Sequence, residues 1–202
     1  MPLGAVEDFL VDIDRRWKGS ETGIPLRIIG STALLLRTDY QRGTDDSDVL
    51  QTAEVTDDIK DRLLALAGKK TPMHARHGMY IQVLSTGFPL LARQPLFHAM
   101  QEINATLQHF EIHALDVVDV VVSKLKPLRG RDREDILQMV SRGLVPHDLL
   151  VSRFKDAVED YSGGAGAEDI PRFWNNLNQI ERDVLQVPET PMELPDWLSD
   201  RL

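Results

Sequence analysis

The sequence predicts an α+β protein in which a small sheet near the N-terminus is followed by a helical bundle. Two observations lead to this fold class. Short apolar runs bounded by glycines, which are typical of buried strands, occur in the first half of the 202 residues. The second half consists of consecutive patterns with helical spacing. We expect a core over residues 1–114 and a helical region over 115–202, with an irregular, proline-rich tail from about residue 187.

In the first half, helices are expected to alternate with strands. Apolar residues recur at helical spacing over about residues 5–18, namely Val6, Phe9, Leu10, Ile13 and Trp17. The apolar runs that predict strands are LRIIG, SDVLQTA, GMYIQVLS and ATLQHFEIHAL. Two further helices are STALLLRT, which Ser31 could cap, and VTDDIKDRLLALAGKK, which Thr56 could cap. The stretch TGFPLLARQP is expected to be a loop.

The second half is expected to contain four helices. Their sequences are LDVVDVVVSKLKPL, RDREDILQMVSRGL, VPHDLLVSRFKDAVEDYSGG and AEDIPRFWNNLNQIERDVLQ. Pro127 and Gly130 separate the first two helices, and Pro146 suits the start of the third.

Composition narrows the classes of function. The net charge of −9 argues against nucleic-acid binding by the whole surface, because contact with a polyanion needs lysines and arginines at the interface. The chain has no cysteine, which excludes disulfides, thiolate metal sites and thiol nucleophiles. No apolar run approaches the ~20 residues of a membrane span, and the acidic start does not resemble a signal peptide. We therefore expect a cytoplasmic protein without membrane partners.

A phosphate site is predicted where the first strand ends. The strand LRIIG is followed directly by a helix, so free backbone N–H groups would stand at the positive end of that helix. Gly30 would allow a phosphate oxygen to come close, and Ser31 would add a hydroxyl donor. In the loop that follows, Arg42 could reach a phosphate, although a solvated loop is the alternative for it, and Thr44 could support the loop by hydrogen bonding.

A metal site is predicted at the start of the second strand. Asp46 and Asp48 alternate with Ser47, and residues i and i+2 of a strand point to the same face. Two neighbouring carboxylates repel each other unless a divalent cation lies between them, and oxygen ligands suit Mg²⁺ or Mn²⁺. A triphosphate beside a helix N-terminus, with a metal held by two aspartates, is typical of phosphoryl or nucleotidyl transfer. The alternative is ordinary turn chemistry.

This order of strand, Gly-Ser, helix and Asp-x-Asp resembles the DNA-polymerase-β-like nucleotidyltransferase superfamily. More narrowly, IIGSTALLL…RGTDDSDVL followed by LDVVDVVVSKLKPLRGRDREDI is similar to bacterial nucleotidyltransferase-like proteins related to abortive-infection (AbiEii-type) toxins. The resemblance covers about residues 24–145. It implies a mixed sheet with helices on one face, and an NTP and Mg²⁺ or Mn²⁺ as ligands.

The narrower resemblance implies further site residues. That group carries a helical lysine followed by an Arg-x-x-x-Asp motif, which corresponds to Lys124, Arg131 and Asp135. Lys124 would neutralise phosphate charge and Arg131 would face the nucleotide or an RNA. The alternative for these residues is an exposed helix start with paired charges, including an ion pair between Arg131 and Asp135.

The third carboxylate of the superfamily has no obvious counterpart. It helps to hold the catalytic metal and can act as base for the attacking hydroxyl. The middle of the strand MYIQVLS would be its natural place, but Gln82 occupies that position, and an amide cannot act as a base. Glu111, in the strand HFEIHAL, is the other candidate.

Three functions are therefore considered. The first is a Mg²⁺-dependent nucleotidyltransferase that moves NMP from an NTP to a hydroxyl of RNA (such as tRNA) or protein, as the toxin of a toxin–antitoxin system. The second is a weakly active or inactive nucleotide-binding domain of the same fold that interacts with a partner such as an antitoxin. The third is an aminoglycoside-type enzyme, whose polycationic acceptor would suit an acidic protein.

Overall fold

The α+β class is confirmed in a computed structural model, which describes residues 4–161 and 167–192. The chain divides into two units, Met1–Phe88 with Leu96–Asp116, and Pro89–Pro95 with Val117–Leu202. The second unit thus includes Pro89–Pro95, which precedes the boundary expected at residue 114. Among the described residues, no helix combines the length and the hydrophobicity that a membrane crossing requires.

The first unit contains a five-stranded mixed sheet. Its strands are β1 (Ile24–Ile29), β2 (Asp46–Leu50), β3 (Tyr80–Leu84), β4 (Phe97–Ala99) and β5 (Phe110–Leu115), in the spatial order β3-β2-β1-β5-β4. Strand β1 is central, antiparallel to β2 and parallel to β5. Strand β2 runs parallel to β3, and β4 runs antiparallel to β5.

The two faces of this sheet differ in polarity because the side chains alternate along each strand. One face is apolar and buried, and it includes Leu26, Ile28, Val49, Ile81, Phe110 and Ile112. On the other face, in-register pairing places together the polar residues Arg27, Asp46, Asp48, Tyr80, Gln82, Glu111 and His113. We call these residues the polar face. All residues of the polar face are half-buried or exposed, whereas the apolar face is buried. The described helices therefore pack on the apolar face alone, as the resemblance implied.

Five helices lie in the described part of the first unit. They are α1 (Ala5–Arg16), α2 (Gly30–Arg37), α3 (Asp57–Ala67), α4 (Pro72–His77) and α5 (Gln101–Asn104). Thr56 caps α3 as predicted, since its hydroxyl accepts a hydrogen bond from the Ile59 N–H at 3.3 Å. The prediction that Ser31 caps α2 is wrong, because the helix already begins at Gly30 and no side chain caps it.

Four elements differ from the sequence prediction, and one of them is the short helix α5 (Gln101–Asn104), which the sequence did not indicate. Strand β4 (Phe97–Ala99) follows the expected loop and pairs with β5, although three residues are too few to show an alternating pattern. The strand expected over residues 105–115 begins only at Phe110. The Asn104 side chain, at the end of α5, binds both backbone groups of Ile112, at 3.0 and 2.7 Å, and this closes a turn before β5. Helix α4 (Pro72–His77) was not predicted, because its single turn carries little periodicity.

Helix α1 is tied to the start of β5 by one buried carboxylate. Asp14 is 4 % exposed, and it accepts hydrogen bonds from the backbone N–H groups of Gln108, His109 and Phe110, at 2.9, 2.8 and 3.0 Å. These donors precede or begin a strand that pairs with β1, so Asp14 fixes the position of β5 against the central strand.

The second unit is helical, as predicted. Its elements are α6 (Val117–Leu125), α7 (Gly130–Ser141), α8 (His147–Tyr161), a 3₁₀ turn (Ala167–Asp169), α9 (Ile170–Ile180) and a π-helical turn (Glu181–Leu185). Phe154 and Trp174 meet edge to face in its core, with ring centres 5.2 Å apart. Residues 186–192 are irregular, as expected of the tail, and the rest of the predicted tail lies outside the described residues.

Replacing Asp14 should destabilise the first unit. In Asp14→Ala, three backbone N–H groups lose their acceptor, and we expect a loss of about 2–4 kcal/mol of unfolding free energy. Asp8→Ala, which removes an exposed carboxylate from the same helix, should cost less than about 1 kcal/mol. Urea unfolding of both variants is the measurement. Equal midpoints for the two variants would contradict this role of Asp14.

Acid should weaken the link between the loop after α1 and α3. Arg62 donates to both carboxylate oxygens of Glu21, at 2.9 and 3.0 Å, and these hydrogen bonds lower the pKa of Glu21 to about 2. The carboxylate is therefore stabilising above its ordinary pKa, and the stabilisation disappears as the pH falls through the folded pKa. The difference in Tm between the protein and Glu21→Gln should be constant above about pH 5 and shrink toward pH 2. A difference that grows on acidification would contradict the assignment.

Candidate functional site

Gly30 joins the two predicted motifs. It directly follows β1 and has a φ of +65°, a left-handed conformation that glycine adopts without strain. A β-carbon at this position would lie 2.9 Å from Oδ2 of Asp48, closer than real contacts allow. Glycine is thus favoured by its backbone conformation, and any larger residue would push the Asp48 carboxylate aside. The Gly-Ser turn therefore lies directly against the Asp-x-Asp pair.

Two threonines fix the first aspartate. Thr32, in the first turn of α2, is 1 % exposed and donates from Oγ1 to the backbone oxygen of Asp46 at 3.0 Å. Thr44 lies within hydrogen-bond distance of the same oxygen, at 3.1 Å, and of the Asp46 carboxylate Oδ1, at 3.2 Å. The sequence had suggested a supporting role for Thr44 but had not indicated Thr32. A hydroxyl residue in the turn after Gly-Ser was the only signal that could have found it.

Arg42 brings positive charge to the start of α2. Its guanidinium donates a hydrogen bond to the hydroxyl of Ser31, although the two residues are separated by most of α2 and part of the following loop. The N-terminus of a helix already favours anions, and a guanidinium adds donors in a geometry that matches phosphate. Gly30, Ser31 and Arg42 are therefore together, as a phosphate site requires.

The two aspartates share the polar face with two residues of β3. Asp46 is in register with Tyr80, and Asp48 is in register with Gln82. Burial raises the pKa of the Tyr80 phenol, and the charges of Asp46, Asp48 and Asp45 raise it further. The phenol therefore stays protonated beside a region of negative potential. Tyr80, which the sequence had not indicated, also packs edge-on against His74, with ring centres 5.1 Å apart.

The donor set suits a hard divalent cation that is held only in part by protein. Among the described residues, no three histidine, aspartate or glutamate side chains converge on one point. Mg²⁺ is commonly bound by one or two carboxylates together with substrate phosphates and water. Asp46 and Asp48, side by side next to the Gly-Ser turn, fit that pattern.

Glu111 is not brought to the aspartates. It pairs with Pro25 at the beginning of β1, whereas Asp48 pairs with Ile29 at its end. Strand spacings place the α-carbons of Glu111 and Asp48 about 16 Å apart. The carboxylate of Glu111 instead lies 3.6 Å from His113. Neutral Gln82, not Glu111, is the neighbour of Asp48.

The second predicted motif forms an ion cluster within the second unit. The side chain of Lys124 is 8 % exposed, and its Nζ lies 3.0 Å from Asp132 and 2.8 Å from Asp135. Asp132 also accepts the backbone N–H of Arg129 and thereby caps α7. The alternative that Asp135 pairs with Arg131 is not observed, since Asp135 faces Lys124 and Arg131 is exposed at the start of α7.

Comparisons with known proteins identify the family of this chain. A family described as a nucleotidyltransferase of unknown function (DUF6036) matches residues 10–185. The peroxisomal ATPase PEX6 of Yarrowia lipolytica is 31% identical over 107 residues, which is 49% of this chain but only 10% of that protein. The chain thus spans about a tenth of that relative. No solved structure matches the chain. Because the family match extends over most of its length, the chain belongs to this nucleotidyltransferase family of unknown function.

Proposed function

We propose that the protein transfers NMP from an NTP to an acceptor with the help of Mg²⁺ or Mn²⁺. The observation that carries the proposal is the contact between the Gly-Ser turn and the carboxylate of Asp48. It places an anion-binding helix end beside a pair of oxygen ligands, which is what a metal-bound triphosphate needs. Membership of a nucleotidyltransferase family implies a nucleoside triphosphate as the substrate class.

Each residue of the first unit has a defined task in this proposal. Gly30 and Ser31 bind the departing pyrophosphate portion through backbone N–H groups and a hydroxyl, and Arg42 adds charge there. Asp46 and Asp48 would hold the metal, which would offset the negative charge of the phosphates. Thr32 and Thr44 hold Asp46 in place. The acceptor attacks the α-phosphorus, and pyrophosphate leaves.

Beside Asp48, the described part of the chain places an amide and not a base. A hydroxyl acceptor must lose a proton, and the amide of Gln82 beside Asp48 cannot take it. This observation favours the second candidate function, a domain that binds nucleotide and transfers it slowly or not at all to hydroxyl groups. RNA and protein remain the proposed acceptor classes, and a toxin role with an antitoxin partner is the proposed cellular setting because the motif order is similar to that of AbiEii-type proteins.

The sequence suggested that Lys124 neutralises the phosphate charge of the nucleotide, and the proposal does not assign it that role. Two carboxylates already bind its ammonium group, so it forms a neutralised cluster inside the second unit. We therefore base the nucleotide site on residues of the first unit alone.

Neutralising the aspartates should abolish transfer. Asp46→Asn and Asp48→Asn keep side-chain shape but remove the charges that would hold the metal, and we expect transfer to fall by at least about 100-fold. Asp45→Asn removes the same charge from the neighbouring exposed residue and should change the rate less than about threefold. Each protein is incubated with α-labelled NTPs, Mg²⁺ or Mn²⁺, and total cellular RNA and protein, and the label transferred to RNA or protein is measured. Undiminished labelling by the Asp46 and Asp48 variants would refute the proposal.

Supplying a carboxylate at position 82 should create transfer to hydroxyl groups. A positioned base is worth about 100-fold or more, so Gln82→Glu should accelerate labelling of hydroxyl acceptors at least about tenfold over the unmodified protein. Gln51→Glu, which adds the same charge just after β2, is the matched control and should show no acceleration. If Gln82→Glu binds NTP normally but gains nothing, the missing base is not the reason for slow transfer.

A further inference from the structure

The polar face contains one cation next to the two aspartates. Arg27 lies on β1 two residues before Ile29, which pairs with Asp48, so both side chains project from the same face. Strand spacings place the α-carbons of Arg27 and Asp48 about 8 Å apart, and the Arg27 side chain extends toward Phe97 of β4. His113 of β5 is in register with Arg27 and adds a second possible donor.

The guanidinium of Arg27 is oriented by an aromatic ring and not by a carboxylate. Its central carbon lies 5.6 Å from the centre of the Phe97 ring, on β4. Stacking on an aromatic face uses none of the N–H donors of an arginine. Among the described residues Arg27 forms no ion pair. Hydrogen bonds from Thr52 and the backbone lower the pKa of Glu54, and the charge of Arg27 is the smallest contribution to that shift. On the same face, Glu111 lies nearest to His113.

Gln82 and Arg27 together restrict the chemistry of the acceptor. Next to Asp48, the amide cannot remove a proton from a hydroxyl group. A phosphate monoester needs no such step, because with a second pKa of about 6 it is largely a dianion at neutral pH. The fork of N–H groups on Arg27 matches two oxygens of such a group.

We propose that the attacking group of the acceptor is a terminal phosphate, bound by Arg27 on the polar face. This inference rests on the proposed NMP transfer and names its acceptor. An oxygen of the acceptor phosphate forms a bond to the α-phosphorus of the NTP, and the bond between that phosphorus and the bridging oxygen of pyrophosphate breaks. The bonding electrons leave with pyrophosphate. The product is a phosphoanhydride, and no proton is transferred in the step.

The test compares two forms of one oligoribonucleotide, with a 5′-phosphate or a 5′-hydroxyl, and both with a free 3′-hydroxyl. Each is incubated with α-labelled NTPs and Mg²⁺, and labelled inorganic phosphate with unlabelled NTP serves as the smallest acceptor. We expect label on the phosphorylated oligonucleotide alone, released as NMP by a nucleotide pyrophosphatase, and label from inorganic phosphate in NDP. Labelling of both oligonucleotides at equal rates, or no labelling from either phosphate acceptor, would overturn the proposal.

Variants of Arg27 separate acceptor binding from donor binding. Arg27→Gln should raise the KM for the phosphorylated oligonucleotide at least about tenfold and leave the KM for NTP within about twofold. Arg27→Lys should recover part of the loss, because it keeps the charge but not the fork. Arg15→Gln, at an exposed position of α1, is the control and should match the unmodified protein. If the Arg27→Gln and Arg15→Gln variants have equal KM values for the phosphorylated oligonucleotide, Arg27 does not bind the acceptor.

Measurements of NTP binding distinguish a wrong acceptor assignment from a wrong nucleotidyl-transfer proposal. Metal-dependent NTP binding, measured by titration, is compared in the unmodified protein and in Asp46→Asn. If binding depends on Asp46 but hydroxyl acceptors are labelled as well as phosphate acceptors, only the acceptor assignment fails. If NTP binding does not depend on Asp46, the nucleotidyl-transfer proposal itself fails.

Discussion

The packing of Gly30 against the carboxylate of Asp48 is the constraint on which the rest of the candidate site depends. The antiparallel pairing of β1 and β2 puts Ile29 opposite Asp48, so the residue that follows β1 must pass beside this carboxylate. A β-carbon there would displace this carboxylate, and the φ of +65° favours glycine as well. Thr32 and Arg42 then tie the start of α2 and the following loop to the same place. One antiparallel strand pair thus assembles groups that are far apart in the chain.

Side chains alternate between the two faces along β2, so the two aspartates are accessible on one face while the core on the other face stays buried. Asp46 and Asp48 face the polar side, while Val49 faces the helices and is fully buried. Ser47, between the aspartates, also faces the helices, and within the described part of the chain its buried hydroxyl has no hydrogen-bond partner. An unpaired hydroxyl costs about 1–3 kcal/mol. A small side chain at this position nevertheless keeps the strand close to the helices beneath it.

Sequence reasoning succeeded where the structure is decided locally and failed where it depends on strand register. Gly-Ser after an apolar strand and the cap at Thr56 are short-range patterns, and both are present in the structure. The distance between Glu111 and the aspartates depends on the pairing of three strands, which no local pattern reveals. Tyr80 and Arg27 were missed for the same reason, whereas Thr32 was missed because its hydrogen bond joins a helix to a neighbouring strand. Lys124 matched a motif, but its burial between two carboxylates is a property of helix packing.

The charge of the polar face connects Gln82 with the choice of acceptor. A carboxylate in place of Gln82 would stand beside two other carboxylates and face any phosphate brought to the α-phosphorus. At about 6 Å and an effective dielectric constant of about 20, one negative charge repels a phosphate dianion by roughly 5 kcal/mol. A third acid would thus help a hydroxyl acceptor by taking its proton but would hinder an anionic acceptor by repulsion. The neutral amide beside Asp48, with the guanidinium of Arg27 on the neighbouring strand, reverses that balance and makes the same face suitable for an anion.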